Sequence, residues 1–318
     1  MRILVTGGAG FIGGYLVQRL IDNGDEVTIV DNLSTGRQEN VHPKASFIKE
    51  DICTINWGEF IHEFDEIYHL AAVVGVKQVL NNPLETIHTN MTGTHRLLEA
   101  MIMYNPLAKL FVASTSEVYG KNDKRGLTEE DDRITGSTLK DRWIYAETKA
   151  MDEFLVNLYA REHSLNCLIA RFFSIVGGNQ LSEYGMVIPN FIEQALQEAP
   201  ITVYGDGTQV RSFMDVRDCV DCVFELVRKH NYKTTEIVNI GNPEPVMIKD
   251  LAWRIKHLTN SKSEITYVPY NEAYNKGFED MMWRTPNIDK LNTLLGKQSF
   301  RNLDTILKDI IEFYKGEL

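Results

Sequence analysis

The chain has 318 residues, 43% of them hydrophobic and 24% charged, with a formal net charge of −11. That length supports one large domain or two coupled ones without disulfide or metal staples, and the acidic balance excludes a general nucleic-acid surface, which relies on clustered Lys and Arg. No apolar run approaches the roughly 20 residues of a membrane span.

The opening MRILVTGGAG reads as a fold element and not as a signal peptide. Of the four cysteines only Cys219 and Cys222 are close, within a helical stretch and without a second Cys or His pair to complete a zinc site. Buried thiols, no metal and a reducing, cytoplasmic setting are the expectation.

In chain order, Arg2 to Val5 is a buried strand, Gly13 to Asn23 carries helical spacing, and Glu26 to Val30 is a second strand. Further strand candidates begin at Ser46, Glu66, Lys109 and Cys167, and helical stretches run from Pro83 to Tyr104 and from Tyr145 to His163. Apolar strands alternating with helices predict an α/β fold, a Rossmann-type doubly wound parallel sheet covered on both faces. After Ser174 glycines, prolines and short elements mix, with helices at Asp218 to Lys229 and Ile248 to Leu258. The expectation is a nucleotide-binding domain over 1–173 and a smaller mixed α/β substrate lobe over 174–318, the chain crossing back around 211–240.

Thr6-Gly7-Gly8-Ala9-Gly10-Phe11-Ile12-Gly13 sets three glycines between a strand and a helix. Gly7 permits a tight turn, Gly10 lets the backbone approach a pyrophosphate, and Gly13 lets helix and strand pack closely. The helix N-terminus offers free N–H groups to the phosphates. The second strand runs into Asp31, whose carboxylate can accept both adenosine ribose hydroxyls and would repel a 2′-phosphate, so NAD is expected over NADP; Arg37 is the one residue nearby that could hold that phosphate. Phe11, Ile12 and Asn32 complete the expected contacts. Asp51 and Ile52 are placed beside the adenine, and Leu70, Ala71 and Ala72 are small enough to let the cofactor lie across the strand ends.

Tyr145 and Lys149 stand at i and i+4 on one helix face, where an ammonium beside a phenol favours the phenolate and lowers the Tyr pKa. The strand from Lys109 ends in Ser114-Thr115-Ser116-Glu117-Val118-Tyr119-Gly120, polar groups at the edge of an open sheet where ligands bind. Glu117 could act there as an acid, a base or an electrostatic lever.

Together the glycine turn, Asp31, TSEVYG and YxxxK resemble the extended short-chain dehydrogenase/reductase family that modifies nucleotide sugars, over essentially the whole chain. The resemblance implies a Thr115–Tyr145–Lys149 triad. Tyr145 takes the 4-hydroxyl proton while C4 passes hydride to NAD, Lys149 holds the nicotinamide ribose, and Thr115 bridges to the sugar. It also implies a homodimer through the helices at Pro83–Tyr104 and Tyr145–His163. Arg142-Trp143-Ile144-Tyr145 and the run KGFEDMMWRTPNI from Lys276 to Ile288 resemble UDP-glucuronate decarboxylases, in which the arginine aligned with Arg284 lies at the sugar carboxylate and is catalytic. Arg284 then binds substrate, together with Ser116, Arg142 and Ser174; Arg211 aligns with the diphosphate-binding arginine, and Tyr204 is placed near the uracil or ribose.

Two departures point to an altered nucleotide or sugar acid. Ser174 stands where relatives carry Asn followed by Gly-Pro, and Leu294-Leu-Gly296 lacks the common Trp-x-Pro continuation. A 4-epimerase, a 4,6-dehydratase and a non-catalytic NAD-binding protein are the competing readings.

Overall fold

The computed structural model describes residues 1–180, 185–232, 234–273, 279 and 281–317, without the side chains of 76, 271, 273 and 317. Of the run from Lys276 to Ile288, residues 276–278 and 280 lie outside the described residues.

Seven strands form the main sheet: β1 (Arg2–Thr6), β2 (Glu26–Val30), β3 (Ser46–Ile48), β4 (Glu66–His69), β5 (Lys109–Thr115), β6 (Asn166–Phe172) and β7 (Thr235–Ile240). All pairings are parallel and the order is β7-β6-β5-β4-β1-β2-β3. The strand order reverses between β1 and β4, which opens a crevice at their carboxyl ends.

Period-2 alternation divides the strand side chains between two cores. Ile3, Val5 and Ile29 pack under α1 (Phe11–Asp22), whose Leu16, Val17 and Leu20 meet Cys219, Val220 and Val223. On the other face Leu4, Val30, Ile67 and Val112 pack under Leu97, Leu98 and Met101 of α3 (Pro83–Tyr104) and Val156 and Ala160 of α4 (Ile144–His163), with the short α2 (Val76–Asn81) preceding them. Burial on both faces is why the strands read as continuous apolar runs.

The second lobe joins α5 (Val187–Leu196), α7 (Ile248–Leu258) and the helix Leu303–Glu317 through Phe191, Ile192, Leu251, Ile255, Ile306 and Ile310. Between α5 and α7 the chain returns to the first lobe. There α6 (Val216–Lys229) packs with α1, and β7 extends the sheet beside β6. No separate sign of β7 stands out in the sequence, because TEIVNI sits among short mixed elements.

The helices at Pro83–Tyr104 and Ile248–Leu258 run as expected, whereas α1 starts two residues early, at Phe11. Gly10 caps it, so the helix begins inside the glycine turn. No described helix is long and apolar enough to cross a membrane.

The turn has almost no slack. A Cβ on Gly13 would lie 2.1 Å from the Gly7 carbonyl oxygen. Gly13→Ala is therefore expected to destabilise the fold by about 2 kcal/mol or more, read as a lowered urea midpoint; an unchanged midpoint would mean that the turn can open freely.

Candidate active site

A cleft of about 540 Å³ runs from the glycine turn, across the ends of β1, β4 and β5, into the second lobe. It is lined by Gly7, Gly10, Phe11, Ile12, Gly13, Asp31, Asn32, Ile52, Leu70, Ala71 and Ala72 on one side, and by Thr115, Ser116, Glu117, Arg142, Tyr145, Lys149, Ser174, Tyr204, Arg211 and Arg284 on the other. Asp51 is the exception among the expected residues. Its carboxylate accepts from the Asn32 side chain at 3.1 Å and the Cys53 N–H at 2.8 Å, and Glu50 and Ile52 line the cleft beside it. Glu50, Gln180 and Gln194 also line the cleft; no motif marks them in the sequence.

The cofactor end fits NAD on its own geometry. Gly7 has φ +72, and a Cβ there would meet the Ala71 nitrogen at 2.7 Å, so only a bare backbone leaves the strand ends open. Asp31 Oδ2 accepts the Ala9 N–H at 3.1 Å and Oδ1 the Leu33 N–H at 2.8 Å. Each oxygen keeps a lone pair for a ribose hydroxyl. Burial raises the Asp31 pKa and these two bonds oppose it.

The catalytic end is built on a cap. Thr115 closes β5, and its hydroxyl accepts the Glu117 N–H at 3.2 Å, which turns the Glu117 side chain into the cleft. The Glu117 carboxylate is gripped bidentately by Arg142, with Nη2 to Oε1 at 3.0 Å and Nη1 to Oε2 closer still, while Arg284 Nη1 reaches Oε1 at 2.6 Å. Burial alone would raise the Glu117 pKa, but the two guanidinium groups hold it down at about 2. Of the three roles open to it, this geometry favours the electrostatic one: Glu117 is a fixed anion with its lone pairs committed.

Arg142 and Arg284 arrive on separate segments. Arg284 lies on the short strand Trp283–Arg284, paired with Val210–Arg211 so that Arg284 is in register with Arg211. Arg211 Nη1 donates to the Met281 carbonyl at 2.8 Å. Glu279 fastens the segment to the loop that carries Arg142, accepting from Lys140, from Lys121 at 3.2 Å and from Trp143 Nε1 at 3.1 Å.

Tyr145 and Lys149 both face the cleft, but their electrostatics depart from expectation. Burial first, then Glu117, push the Tyr145 phenol well above its usual range, against a hydrogen bond to the Thr115 side chain. The Lys149 ammonium is paired with the buried Asp152 at 2.9 Å. Ser174 lines the cleft in the left-handed region, φ +38, where Asn is tolerated better than Ser. The four cysteines are buried and free, and burial raises each thiol above its ordinary pKa. Among the described residues no group of three His, Cys, Asp or Glu is placed to hold a metal ion.

Residues 3–241 match the NAD dependent epimerase/dehydratase family. The chain belongs to that family. It is 37% identical to the UDP-N-acetyl-alpha-D-glucosaminuronate decarboxylase of Bacillus cytotoxicus, over 99% of this chain and 98% of the other. It is 36% identical to UDP-glucuronic acid decarboxylase 1 of Danio rerio, over 100% of this chain and 73% of that one. Among solved structures, UDP-glucuronic acid 4-epimerase from Bacillus cereus, in complex with UDP-glucuronic acid and NAD, superposes with a TM-score of 0.89 at 27% identity, covering both chains in full. UDP-glucose 4-epimerase from Thermotoga maritima, with UDP-glucose, gives 0.88 at 30% identity, covering 100% of this chain and 99% of that one. The protein is an NAD-dependent enzyme of nucleotide-sugar chemistry.

Removing the Asp31 carboxylate tests the cofactor end. Asp31→Ala is expected to weaken NAD binding roughly 10- to 100-fold and to narrow the preference over NADP, with Arg37 left at the cleft wall. Calorimetric Kd values for both cofactors check this, and an unchanged ratio would count against Asp31 as the discriminating group.

Proposed function

We propose that the enzyme decarboxylates a UDP-hexuronate. The observation that carries this reading is the Arg142–Glu117–Arg284 cluster beside Tyr145, two cations lining the catalytic end of a cleft whose other end fits NAD. A sugar carboxylate can replace one of the Arg284 bonds to Glu117 and gain a charge-assisted contact, which a neutral hexose cannot. Bound NAD supplies the hydride acceptor. Tyr145, hydrogen-bonded to Thr115, takes the proton of the 4-hydroxyl, and Lys149 steadies the phenolate and the nicotinamide ribose.

The resulting 4-keto sugar acid is a β-keto acid. Its C5–C6 bond breaks, CO₂ leaves, the electron pair passes into the ketone as an enolate, and a proton returns to C5. The Glu117 anion beside the substrate carboxylate disfavours the charged ground state and is relieved as neutral CO₂ departs. Arg211 and Tyr204 are assigned to the diphosphate and to the uridine, Ser116, Arg142 and Ser174 to the sugar end. The Bacillus cereus neighbour, an epimerase crystallised with UDP-glucuronic acid, keeps 4-epimerisation of the same substrate class as the second reading. Under the favoured reading the enzyme is a lyase.

Purified protein is to be incubated with UDP-, GDP- and CDP-hexoses and hexuronates and the products followed by mass spectrometry and NMR. Loss of CO₂ from a UDP-hexuronate is the expected outcome. Loss of water from a hexose, or an epimer of unchanged mass, would overturn decarboxylation. Arg284→Ala should cut turnover of the acid about 100-fold through loss of a charged hydrogen bond, and full retained activity would remove it from the site.

A homodimer in the cytoplasm is also proposed. Met151, Phe154 and Leu158 recur on one face of α4 and are exposed, Phe154 by 54%, and Leu84, Ile87 and Met103 are exposed on the neighbouring α3. A second copy bringing the same two helices would bury this surface in a four-helix arrangement. Phe154→Glu is expected to yield monomers in light scattering; a dimer that persists would place the interface elsewhere. The reduced, buried cysteines fit the compartment.

A further inference from the structure

The reaction scheme uses Lys149 but leaves its buried partner, Asp152, without a part. Both side chains are almost wholly inaccessible, at 3% and 1%. Taking two charges out of water costs several kcal/mol per ion before their attraction returns it, so a carboxylate at this position is an expensive way to fill space. Tyr145, Lys149 and Asp152 follow at i, i+4 and i+7 along one face of α4. Lys149 lines the cleft and Asp152 stands behind it.

Asp152 faces α3 and the nucleotide end of the sheet. The Thr94 side chain of α3 is near enough to its carboxylate to oppose the pKa rise that burial causes, while the Thr94 hydroxyl donates to the Asn90 carbonyl at 2.9 Å. Thr94 Oγ1 lies 3.1 Å from His69 Nε2, at the end of β4, and His69 Nδ1 lies 2.8 Å from the Thr6 hydroxyl, the last residue before Gly7. Burial and the nearby Lys149 push His69 down to about 3, so the ring is neutral and bridges the two hydroxyls by one donated and one accepted bond. The remaining Asp152 oxygen, Oδ1, is buried with no hydrogen-bond partner among the described residues. That orphaned acceptor leaves Asp152 bound chiefly to the ammonium.

We propose that Asp152 is a positioning residue, which anchors the Lys149 ammonium beside the Thr6–His69–Thr94 chain and, by balancing its charge, sets how acidic Tyr145 is. The inference rests on the reading of Tyr145 as the proton acceptor. With the carboxylate in place, much of the ammonium's field is spent on Asp152, and the phenol keeps its proton until substrate and cofactor change the balance. The charged groups that face the pair are Glu117, Arg142 and Arg284 across the cleft, Glu153 on α4 itself, and Arg171 of β6 locked to Glu153 at 2.7 Å. β4 presents the neutral His69, and α3 presents Thr94 and Asn90.

Asp152→Asn keeps the shape and removes the charge. Tyrosinate absorbance, taken as the difference between each enzyme and its Tyr145→Phe counterpart, reports the Tyr145 titration in the NAD-loaded protein. The expected result is a midpoint about one pH unit lower than in the parent, with the acid limb of kcat/KM for UDP-glucuronate moving down in parallel. Asp152→Glu, which restores the charge, should return both toward the parent values. A titration that stays put in Asp152→Asn, with folding intact by circular dichroism, overturns the proposal and leaves the pair purely structural. If the amide variant does not fold, Asp152→Ser, which leaves room for a water beside the ammonium, is read in the same way. Failure of the underlying reading looks different: Tyr145→Phe would then turn over substrate at the parent rate.

Discussion

A carboxylate placed inside a cleft at the end of a strand has to be neutralised where it stands, and much of the catalytic end follows from how Glu117 meets that demand. Removing one ion from water costs several kcal/mol even after relaxation. A single exposed lysine could not offset it. Instead the bidentate Arg142 and the crossing Arg284 enclose the anion. Neither arginine is near Glu117 in sequence, so each must be delivered by a segment that is itself fixed. Glu279 links those segments, and the pairing of Trp283–Arg284 with Val210–Arg211 fixes the second lobe's contribution. The ion cluster thereby ties the strand Trp283–Arg284 to the end of β5.

The same demand bears on Tyr145. Tyr145 lies next to the Glu117 anion, which opposes a second negative charge, and Lys149 is answered by Asp152. The resting site thus holds two guanidinium groups on one carboxylate and the ammonium on another, with the phenol protonated. A site arranged in this way does not hold a phenolate in the absence of ligands.

Much of the fold was legible because both faces of the sheet are buried. Apolar strands alternating with helices have few other solutions, and the glycine turn between a strand and a helix narrows them further. The short elements after Ser174 were not legible. Two-residue strands such as Val210–Arg211 and Trp283–Arg284 carry no periodicity, and their pairing is decided by contacts more than seventy residues apart. Asp51 shows the limit of placing a residue by position alone: it follows a strand as expected, yet its carboxylate turns to Asn32 and the Cys53 backbone. Ser174 keeps a left-handed backbone that suits asparagine better, a cost that side-chain chemistry alone did not reveal.

The sequence by itself determined the α/β class, the glycine turn with Asp31 after the second strand, and the i, i+4 placement of Tyr145 and Lys149, because each depends on spacing within one strand, turn or helix. The tertiary structure decided the electrostatics. Whether Lys149 serves the phenol or a neighbouring carboxylate, and whether Glu117 is a free base or a clamped anion, depends on groups from distant segments brought within about 3 Å. Coulomb energies at that range in a buried site outweigh what any local pattern encodes.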